Sequence, residues 1–393
     1  MSQAPVRRMT VGIVAGEASG DQLGAHLMRA LKTHRPELHF VGIGGPKMEA
    51  AGAEILYPTE KLAVRGVIEV IKHYWEIVGI RRRLRAHFLR ERPALFIGID
   101  APDFNLDLEI DLKKAGIPTV HYVAPTIWAW RRERVHKVKR AVSLLLTIFP
   151  FEARLYEEAG VPVRYVGHPL ADLLADLPTV AAVREELRVP LNAPVVALLP
   201  GSRVSELEYM GELFVRTAVR VAAELPQTRF LVPFATRETK ALFEAALARV
   251  QPDELNLTML IGHSLEAMAA ADVVLVASGT ATLEAALLKR PMVISYRINP
   301  LTWWLVKRRV YLTHVGMPNI LAGESIVPEL LQNDATPEKL ADALISLMRD
   351  RSMRERLEIR FEEIRAMLRQ NTREKAAAAI TPLLAPGTRG SQT

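Results

Sequence analysis

The sequence predicts an α/β protein made of two doubly wound domains, each with a parallel sheet covered by helices. Short β-branched apolar runs such as residues 273–276 alternate with helical segments, a pattern typical of strands buried on both faces. A strand begins at residue 10 and another at residue 195, and each is followed by a glycine turn and the start of a helix. The 393 residues, 49% of them hydrophobic, also exceed what one core usually holds.

The composition limits the classes of function. The chain carries a formal net charge of +7 and no cysteine, which excludes disulfides, thiolate metal sites and cysteine nucleophiles. No apolar run is long enough to span a membrane and none forms a leader near residue 1, so we expect a cytoplasmic protein. The positive charge favours an anionic partner, either nucleotide phosphate or an acidic membrane surface. Because no nucleic-acid-binding motif is present, we expect no nucleic acid partner.

The first domain is predicted to begin with a strand at residues 10–15 and a glycine loop at residues 16–21. The glycines of this region are spaced by four, which matches neither the dinucleotide-binding fingerprint nor the P-loop. Ser19 and Asp21 are candidates for capping the next helix or for contacting substrate. A second strand at residues 40–43 and a polar link follow.

A helix predicted over residues 62–80 carries one broad apolar stripe. The stripe consists of Val64, Val67, Ile68, Ile71, Tyr74, Trp75 and Val78. A basic run, residues 81–85, comes directly after it. An apolar stripe with a basic flank suits a helix that lies on an anionic bilayer, and it also suits a crossover helix that faces the core.

Two carboxylates follow the strand at residues 94–99, namely Asp100 and Asp103. Open parallel sheets bind ligands at the carboxyl ends of their strands, where an aspartate can act as general base toward a substrate hydroxyl. An Asx-turn at Asp100 and a helix cap at Asp103 are the structural alternatives. Further along, Trp128 and Trp130 precede a basic run and are candidates for contacting a base, a sugar or lipid, or for wedging a loop against the sheet.

The second domain has two candidate phosphate-binding turns. Arg203 lies in the turn after the strand at residues 195–199, where it can pair with a diphosphate or form a surface ion pair. Residues 278–280 form a turn before a helix whose first N–H groups favour phosphate. Glu284, one turn into that helix, is placed to accept hydrogen bonds from two ribose hydroxyls or to cap its own helix.

The domain boundaries follow from a polar, proline-rich stretch at residues 172–194. We expect a first domain at 1–178, a second domain at 190–350, helices that cross back to the first domain at 351–385, and a disordered tail at 386–393.

Six segments resemble, in the same order, motifs of the lipid A disaccharide synthase family of GT-B glycosyltransferases. They are VAGEASGDQLGAHL, FIGIDAPDFNL, HYVAPTIWAWRRERV, LLPGSRVSELE, LVASGTATLEAALLKRPMVISYR and PNILAGESIVPELLQ. The resemblance implies two Rossmann-like domains that face a cleft, of which the first (1–178) binds the acceptor and faces the membrane and the second (190–350) binds the UDP-sugar. It also implies transfer of a sugar from UDP-2,3-diacylglucosamine to 2,3-diacylglucosamine 1-phosphate, at the cytoplasmic face of the inner membrane, by a peripherally bound enzyme.

The resemblance also implies roles for individual residues. Asp100 is expected to be the base that activates the acceptor hydroxyl, with Asp103 as the reserve choice. The donor side is expected to comprise Arg203, Ser278, Gly279, Thr280, Glu284 and Asn319, and Ser19 is expected on the acceptor side. Val64, Val67, Ile68 and Ile71 are expected to meet the bilayer. No cofactor and no metal are expected, and the oligomeric state stays open, a homodimer included.

Two other functions fit parts of the same pattern. A UDP-N-acetylglucosamine 2-epimerase has the same architecture and a similar serine-glycine turn followed by a glutamate, but it needs no lipid-facing stripe. A non-catalytic basic protein that binds membranes or nucleic acid would not consume a sugar nucleotide. Acceptor-dependent release of UDP separates the synthase from both.

Overall fold

A computed structural model describes residues 8–62, 67–128, 132–174, 179–252, 254–307 and 313–384. The chain divides into two compact units, one made of Met1–Asp172 with Leu368–Thr393 and the other of Leu173–Met367. Each unit contains one sheet in which every strand pairing is parallel. The prediction of two doubly wound α/β domains is therefore confirmed.

The first unit contains seven strands and eight helices within the described residues. The strands are β1 (Met9–Ala15), β2 (Leu38–Gly44), β3 (Ala53–Pro58), β4 (Leu95–Ile99), β5 (Thr119–Tyr122), β6 (Leu144–Thr147) and β7 (Val163–Tyr165). The helices are α1 (Ala18–His34), α2 (Pro46–Ala50), α3 (Val67–Glu91), α4 (Pro102–Lys114), α5 (Arg134–Ala141), α6 (Pro150–Glu158), α7 (Pro169–Leu173), which ends at the junction, and α17 (Thr372–Ile380). The strand order is β3-β2-β1-β4-β5-β6-β7.

The second unit contains six strands and nine helices within the described residues. The strands are β8 (Val195–Leu199), β9 (Arg229–Phe234), β10 (Leu257–Ile261), β11 (Val273–Ala277), β12 (Met292–Tyr296) and β13 (Glu329–Leu331). The helices are α8 (Val180–Glu186), α9 (Val204–Glu224), α10 (Arg237–Val250), α11 (Ser264–Ala270), α12 (Thr280–Leu287), α13 (Pro300–Lys307), α14 (Met317–Ala322), α15 (Pro337–Arg349) and α16 (Arg351–Leu368). The strand order is β10-β9-β8-β11-β12-β13.

Both sheets reverse their strand order once, between β1 and β4 in the first unit and between β8 and β11 in the second. At such a switch point the neighbouring connections leave toward opposite faces, so a crevice opens at the carboxyl ends of the two strands. The loops after β1 and β4 therefore share one crevice, and the loops after β8 and β11 share another. The candidate residues of each unit follow these strands.

Two features of the first unit differ from the sequence prediction. The segment after β2 is not only a polar link, because it contains α2 and the edge strand β3. The helix predicted to end at residue 80 continues to Glu91. It continues because Leu84 and Phe88 extend its buried stripe, while Arg81 and Arg85 form ion pairs of 2.8 Å with aspartates of α4.

The membrane stripe is described only in part. Val64 lies outside the described residues, and of Val67, Ile68 and Ile71 the structure describes the main chain in α3 and not the side chains. Two later members of the stripe, Tyr74 and Trp75, are 52% and 76% exposed and pack edge to face. This part of the stripe does not enter the core of the unit. No helix among the described residues is long and apolar enough to cross a membrane.

The sequence left open whether Asp21 caps α1. Asp21 does not cap this helix and instead holds the start of α2. Its buried carboxylate accepts hydrogen bonds of 2.8–3.0 Å from the N–H groups of Gly45, Lys47 and Met48. The residue at the N-cap of α1 is Glu17, and no side chain caps it. Asp21 therefore connects the first helix to the loop that follows β2.

The chain returns to the first unit at residue 368. Ala376, Ala377 and Ile380 of α17 are fully buried in the core cluster that contains α1 and β1. The carboxylate of Asp172 accepts hydrogen bonds from the N–H groups of Asn371 and Thr372, at 3.0 and 2.6 Å, and thus holds the start of α17. The predicted tail at 386–393 lies outside the described residues.

Trp128 packs into the first unit rather than presenting a free ring. Its ring meets Phe151 edge to face at 5.1 Å, and its indole N–H donates to Glu152 at 3.0 Å. This arrangement favours the wedge interpretation for Trp128, whereas Trp130 lies outside the described residues. Burial raises the pKa of Glu152 from 4.5 to about 7, although the hydrogen bond from Trp128 acts in the opposite direction.

The raised pKa of Glu152 predicts a pH dependence of stability. Above pH 4.5 the unfolded chain releases this proton while the folded protein retains it up to about pH 7, so stability falls across that interval. The fall attributable to this group is about 3 kcal/mol. We expect Glu152→Gln to flatten this part of the profile of melting temperature against pH.

The matched control is Glu158→Gln on the same helix, where the glutamate is exposed and pairs with Arg154. The melting temperatures of wild type and of both variants are measured by thermal unfolding from pH 4.5 to pH 8. Parallel profiles for wild type and Glu152→Gln would contradict the assignment.

Candidate functional site

A cavity of about 330 Å³ lies at the switch point of the second sheet. The turns after β8 and β11 and the first turns of α9 and α12 form most of its wall. It is lined by Leu199, Gly201, Ser202, Arg203, Glu206, Pro233, Phe234, Ala235, Gly262, Ser264, Ala277, Ser278, Gly279, Thr280, Ala281 and Glu284. The cavity thus contains five of the six residues that the sequence assigned to the donor side.

The turn after β8 is held by Glu206. Its carboxylate accepts hydrogen bonds from the N–H groups of Ser202 and Arg203, at 2.8 and 3.1 Å. Gly201 has a φ of +123°, and a Cβ atom there would lie 2.5 Å from the Cβ of Glu206, so only glycine fits. The side chain of Arg203 is 76% exposed, and its guanidinium lies 3.2 Å from the carboxylate of Glu206, so both predicted uses of this arginine are compatible with its position.

The turn after β11 presents main-chain N–H groups to the cavity. Gly279 is the N-cap of α12 and has a φ of +131° with a ψ of −160°, a conformation that is essentially confined to glycine. The N–H groups of the first helical turn have no acceptor within the helix and carry the positive end of its dipole. Ser278 turns its hydroxyl away, because Oγ donates to the carbonyl of Val315 at 3.1 Å. The main chain at Ser278–Thr280 is therefore the part that can meet an anion.

Glu284 lines the cavity without capping its helix, so the capping alternative is wrong. The N-cap of α12 is Gly279, and the cap has no side-chain hydrogen bond. Among the described residues, the carboxylate of Glu284 has no hydrogen-bond or ion-pair partner, and burial raises its pKa. A largely desolvated acceptor without a partner is available to hydroxyl donors of a ligand.

Asn319 lies in α14, next to the loop that leads to β13, and is not part of the cavity wall. Its side chain is fully buried, with Nδ2 donating to Val327 and Glu329 and Oδ1 accepting from two main-chain N–H groups. Glu329 also accepts from the N–H groups of Val315 and Gly316. The amide of Asn319 is thus fully used inside the loop, and a direct contact between this side chain and a nucleotide stays a prediction without geometric support.

Three residues that organise the cavity were not singled out from the sequence. Glu206 and Glu329 hold the loops, and the hydroxyl of Thr282 accepts from the N–H of Met317 at 3.1 Å, which ties α12 to α14. Only Glu206 has a local signal, because it occupies the third helical position of a capping box. The hydrogen bonds by which Glu329 and Thr282 hold these segments join residues ten or more positions apart, a relation that spacing does not reveal.

In the first unit, Asp100 lies half-buried in the turn between β4 and α4. Asp100 and Ala101 have φ angles of +51° and +43°, so two consecutive residues other than glycine are left-handed. Each costs about 1–2 kcal/mol, and such strain is typical of functional sites. Gly16 allows this turn to approach the loop after β1, since a Cβ there would lie 2.4 Å from the Cβ of Ala101.

The other first-unit candidates are more exposed. Asp103 is 83% exposed in the first turn of α4 and pairs with Arg134 at 2.7 Å, but it is not the cap, because the N-cap residue is Ala101. Ser19 is an exposed residue in the first turn of α1 and follows β1 at the same switch point as Asp100. No group of three or more His, Asp or Glu side chains within the described ranges could hold a metal ion.

Solved structures of an epimerase and of a glycosyltransferase share this fold. UDP-GlcNAc 2-epimerase from Neisseria meningitidis bound to UDP-GlcNAc is similar with a TM-score of 0.63 at 12% identity, covering 96% of this chain and 99% of that one. CalG4, the calicheamicin glycosyltransferase, is similar with a TM-score of 0.58 at 16% identity, covering 97% and 100%. At these identities the likeness concerns the fold, and it confirms the GT-B class.

Comparison of sequences identifies the family. The model of the family described as Lipid-A-disaccharide synthetase matches residues 11–382. A lipid-A-disaccharide synthase of Methylobacillus flagellatus is 55% identical over 94% of this chain and 98% of its own length. That of Azoarcus is 56% identical over 95% and 96%, and that of Pseudomonas putida 50% identical over 96% and 99%. The chain therefore belongs to the lipid-A-disaccharide synthetase family and is a hexosyltransferase of lipid A biosynthesis.

Proposed function

We propose that the chain is an inverting glycosyltransferase that joins UDP-2,3-diacylglucosamine to 2,3-diacylglucosamine 1-phosphate, giving the β-1′,6-linked disaccharide 1-phosphate and UDP. The acceptor is assigned to the first unit and the UDP-sugar to the second. The observation that carries the proposal is the cavity at the β8/β11 switch point. It combines unpaired helix N–H groups, an exposed arginine and an unpartnered carboxylate.

Each of these three groups matches one part of a UDP-sugar. The N–H groups at the start of α12 and the guanidinium of Arg203 suit the diphosphate. The carboxylate of Glu284 suits the two vicinal hydroxyls of the ribose, because it can accept two hydrogen bonds. The ion pair with Glu206 holds Arg203 at the rim of the cavity, where its remaining N–H groups stay available.

The reaction needs a single displacement, because the donor is α-linked and the product β-linked. The carboxylate of Asp100 takes the proton from the 6-hydroxyl of the acceptor, and the hydroxyl oxygen forms a bond to the anomeric carbon of the donor. The bond from this carbon to the diphosphate breaks, and its electron pair leaves with UDP. Arg203 and the N–H groups of α12 stabilise the negative charge that develops on the leaving group.

Peripheral attachment to the inner membrane is part of the proposal, because both substrates carry acyl chains. The exposed rings of Tyr74 and Trp75 support it, since aromatic side chains with a polar edge favour the membrane interface. The basic run at residues 81–85 lies on the same helix. Its exposed Arg82 suits anionic headgroups, whereas Arg81 and Arg85 pair with aspartates of α4.

The direct test of the function is release of UDP from UDP-2,3-diacylglucosamine in detergent micelles, with and without 2,3-diacylglucosamine 1-phosphate. We expect release only with the acceptor, together with a lipid product that has the mass of the disaccharide 1-phosphate. Release without acceptor, or no release by a folded protein that binds UDP, would contradict the proposal.

We expect Asp100→Asn to lower turnover by about 10²–10⁴, because the acceptor hydroxyl would lose its base. The affinity for UDP should not change, since the nucleotide cavity lies in the other unit. Asp103→Asn is the matched control, as it neutralises an exposed aspartate in the same turn. Near-normal turnover of Asp100→Asn combined with loss in Asp103→Asn would transfer the role to Asp103.

For Glu284→Gln, we expect UDP affinity to fall about 10- to 100-fold, the range for hydrogen bonds to a charged group. Without ligand the variant should melt above wild type, and the difference should grow as pH rises above 4.5. The growth follows from the raised pKa, because above pH 4.5 the unfolded chain releases the proton of Glu284 while the folded protein still retains it, so the stability of wild type falls until its folded-state pKa is passed.

Calorimetric binding and thermal unfolding measure both effects of the Glu284 substitution. Glu238→Gln, at an exposed position in the first turn of α10, is the control. Unchanged UDP affinity in Glu284→Gln would remove the ribose assignment.

For Trp75→Ser, we expect binding to vesicles of phosphatidylethanolamine and phosphatidylglycerol to weaken about tenfold, as the loss of one buried aromatic side chain predicts. Ile359→Ser is the control, because Ile359 is an exposed apolar residue on α16. Co-sedimentation with the vesicles measures binding, and UDP binding in solution should be unaffected. Equal sedimentation of Trp75→Ser and wild type would argue against the stripe as the lipid-facing surface.

A further inference from the structure

Behind the Asp100 turn lies a buried polar group made of Asn105, Glu109 and His121, which is called the polar triad below. All three side chains are fully buried in the first unit. Asn105 and Glu109 lie one turn apart on the face of α4 that meets the sheet, and His121 belongs to β5. Nδ1 of His121 and Oε1 of Glu109 share a hydrogen bond of 2.7 Å.

A glycine in the sheet, Gly98, leaves room for the polar triad. Gly98 of β4 pairs in register with His121 of β5, so it lies directly beside the histidine. A Cβ atom at Gly98 would lie 2.2 Å from Oε1 of Glu109 and 2.9 Å from Cγ of Asn105. Any side chain at this position would therefore displace both polar residues of α4.

The triad reaches Asp100 through the main chain. Nδ2 of Asn105 donates to the carbonyl of Asp100 at 2.8 Å, and the N–H of Asn105 donates to the carbonyl of Ala101 at 3.0 Å. These are the two residues with left-handed backbone conformation. The hydrogen bonds of Asn105 thus hold the strained turn that determines where the carboxylate of Asp100 points.

The polar triad packs α4 against the sheet less favourably than apolar side chains would. Among the described residues, Nε2 of His121, Oε2 of Glu109 and Oδ1 of Asn105 have no hydrogen-bond partner. A buried polar atom without a hydrogen-bond partner is unfavourable to the folded state. Apolar residues of similar volume are often neutral or stabilising in place of a buried ionic pair. Stability alone therefore does not account for these three residues.

We propose that Asn105, Glu109 and His121 are positioning residues that fix the Asp100 turn and thereby set the rate of the chemical step. This inference rests on the proposed role of Asp100 as base. Glu109 and His121 anchor the face of α4 from which Asn105 reaches the turn. The triad does not touch the nucleotide cavity, so it acts on turnover and not on binding of UDP.

Two variants test the proposal by different routes. Asn105→Ala removes the hydrogen bond to the carbonyl of Asp100, and the double variant Glu109→Met with His121→Leu makes the support apolar. We expect kcat to fall about 10- to 100-fold in both, because small displacements of a catalytic group are costly. The KM for the donor and the affinity for UDP should stay within about twofold of wild type.

A melting temperature separates positioning from a structural role. We expect the double variant to melt at or above the temperature of wild type while its kcat falls, a combination that loss of structure does not give. Thr147→Val is the matched control, because Thr147 is fully buried in the same sheet and its Oγ1 also lacks a partner among the described residues. Its kcat should equal that of wild type.

Wild type and Asp100→Asn are measured in the same assay, so the positioning role of the polar triad and the proposed function can be contradicted separately. Wild-type kcat in the folded variants, with activity still lost in Asp100→Asn, would overturn the positioning role and leave the proposed function intact. Normal turnover of Asp100→Asn would remove the base assignment and this inference with it. No acceptor-dependent turnover by wild type would remove the proposed function as well.

Discussion

Carboxylates that accept hydrogen bonds from main-chain N–H groups hold loops at the carboxyl edges of both sheets. Asp21 binds three such groups at the start of α2, and Glu206 and Glu329 each bind two beside the nucleotide cavity. A parallel sheet leaves these loops without ladder partners at its carboxyl edge, and a charged acceptor makes a stronger hydrogen bond than a neutral one. The sheet fixes where a loop starts, and the carboxylate fixes its shape.

The two units use the same topology for different chemistry. At the β8/β11 switch point the glycine turns expose N–H groups, so the site is suited to anions. At the β1/β4 switch point the turn instead carries Asp100, whose carboxylate is the base in the proposed reaction. The proposal therefore assigns anion binding to one unit and proton removal to the other, and the difference lies in a few residues after equivalent strands.

The sequence was sufficient for the parts of the fold that depend on local patterns. Buried β-branched runs and glycine turns predicted both sheets, and they placed Arg203 and Glu284 where the cavity is found. The strands β3 and β13 were missed because they are partly exposed edge strands without a buried apolar run, and β13 has three residues. The support of Asp100 was missed for a different reason. The pairing of Glu109 with His121, which anchors the helix that carries Asn105, depends on the strand register that places Gly98 beside His121.

The return of the chain to the first unit has a consequence for how the protein is made. Residues 1–172 leave the ribosome first, but the buried face of α1 is completed only by α17, after the whole second unit has been synthesised. The second unit is continuous in sequence and can fold as soon as it emerges. The unit translated first is thus the last to be completed, and until then the apolar surface that receives Ala376, Ala377 and Ile380 stays uncovered on the nascent chain.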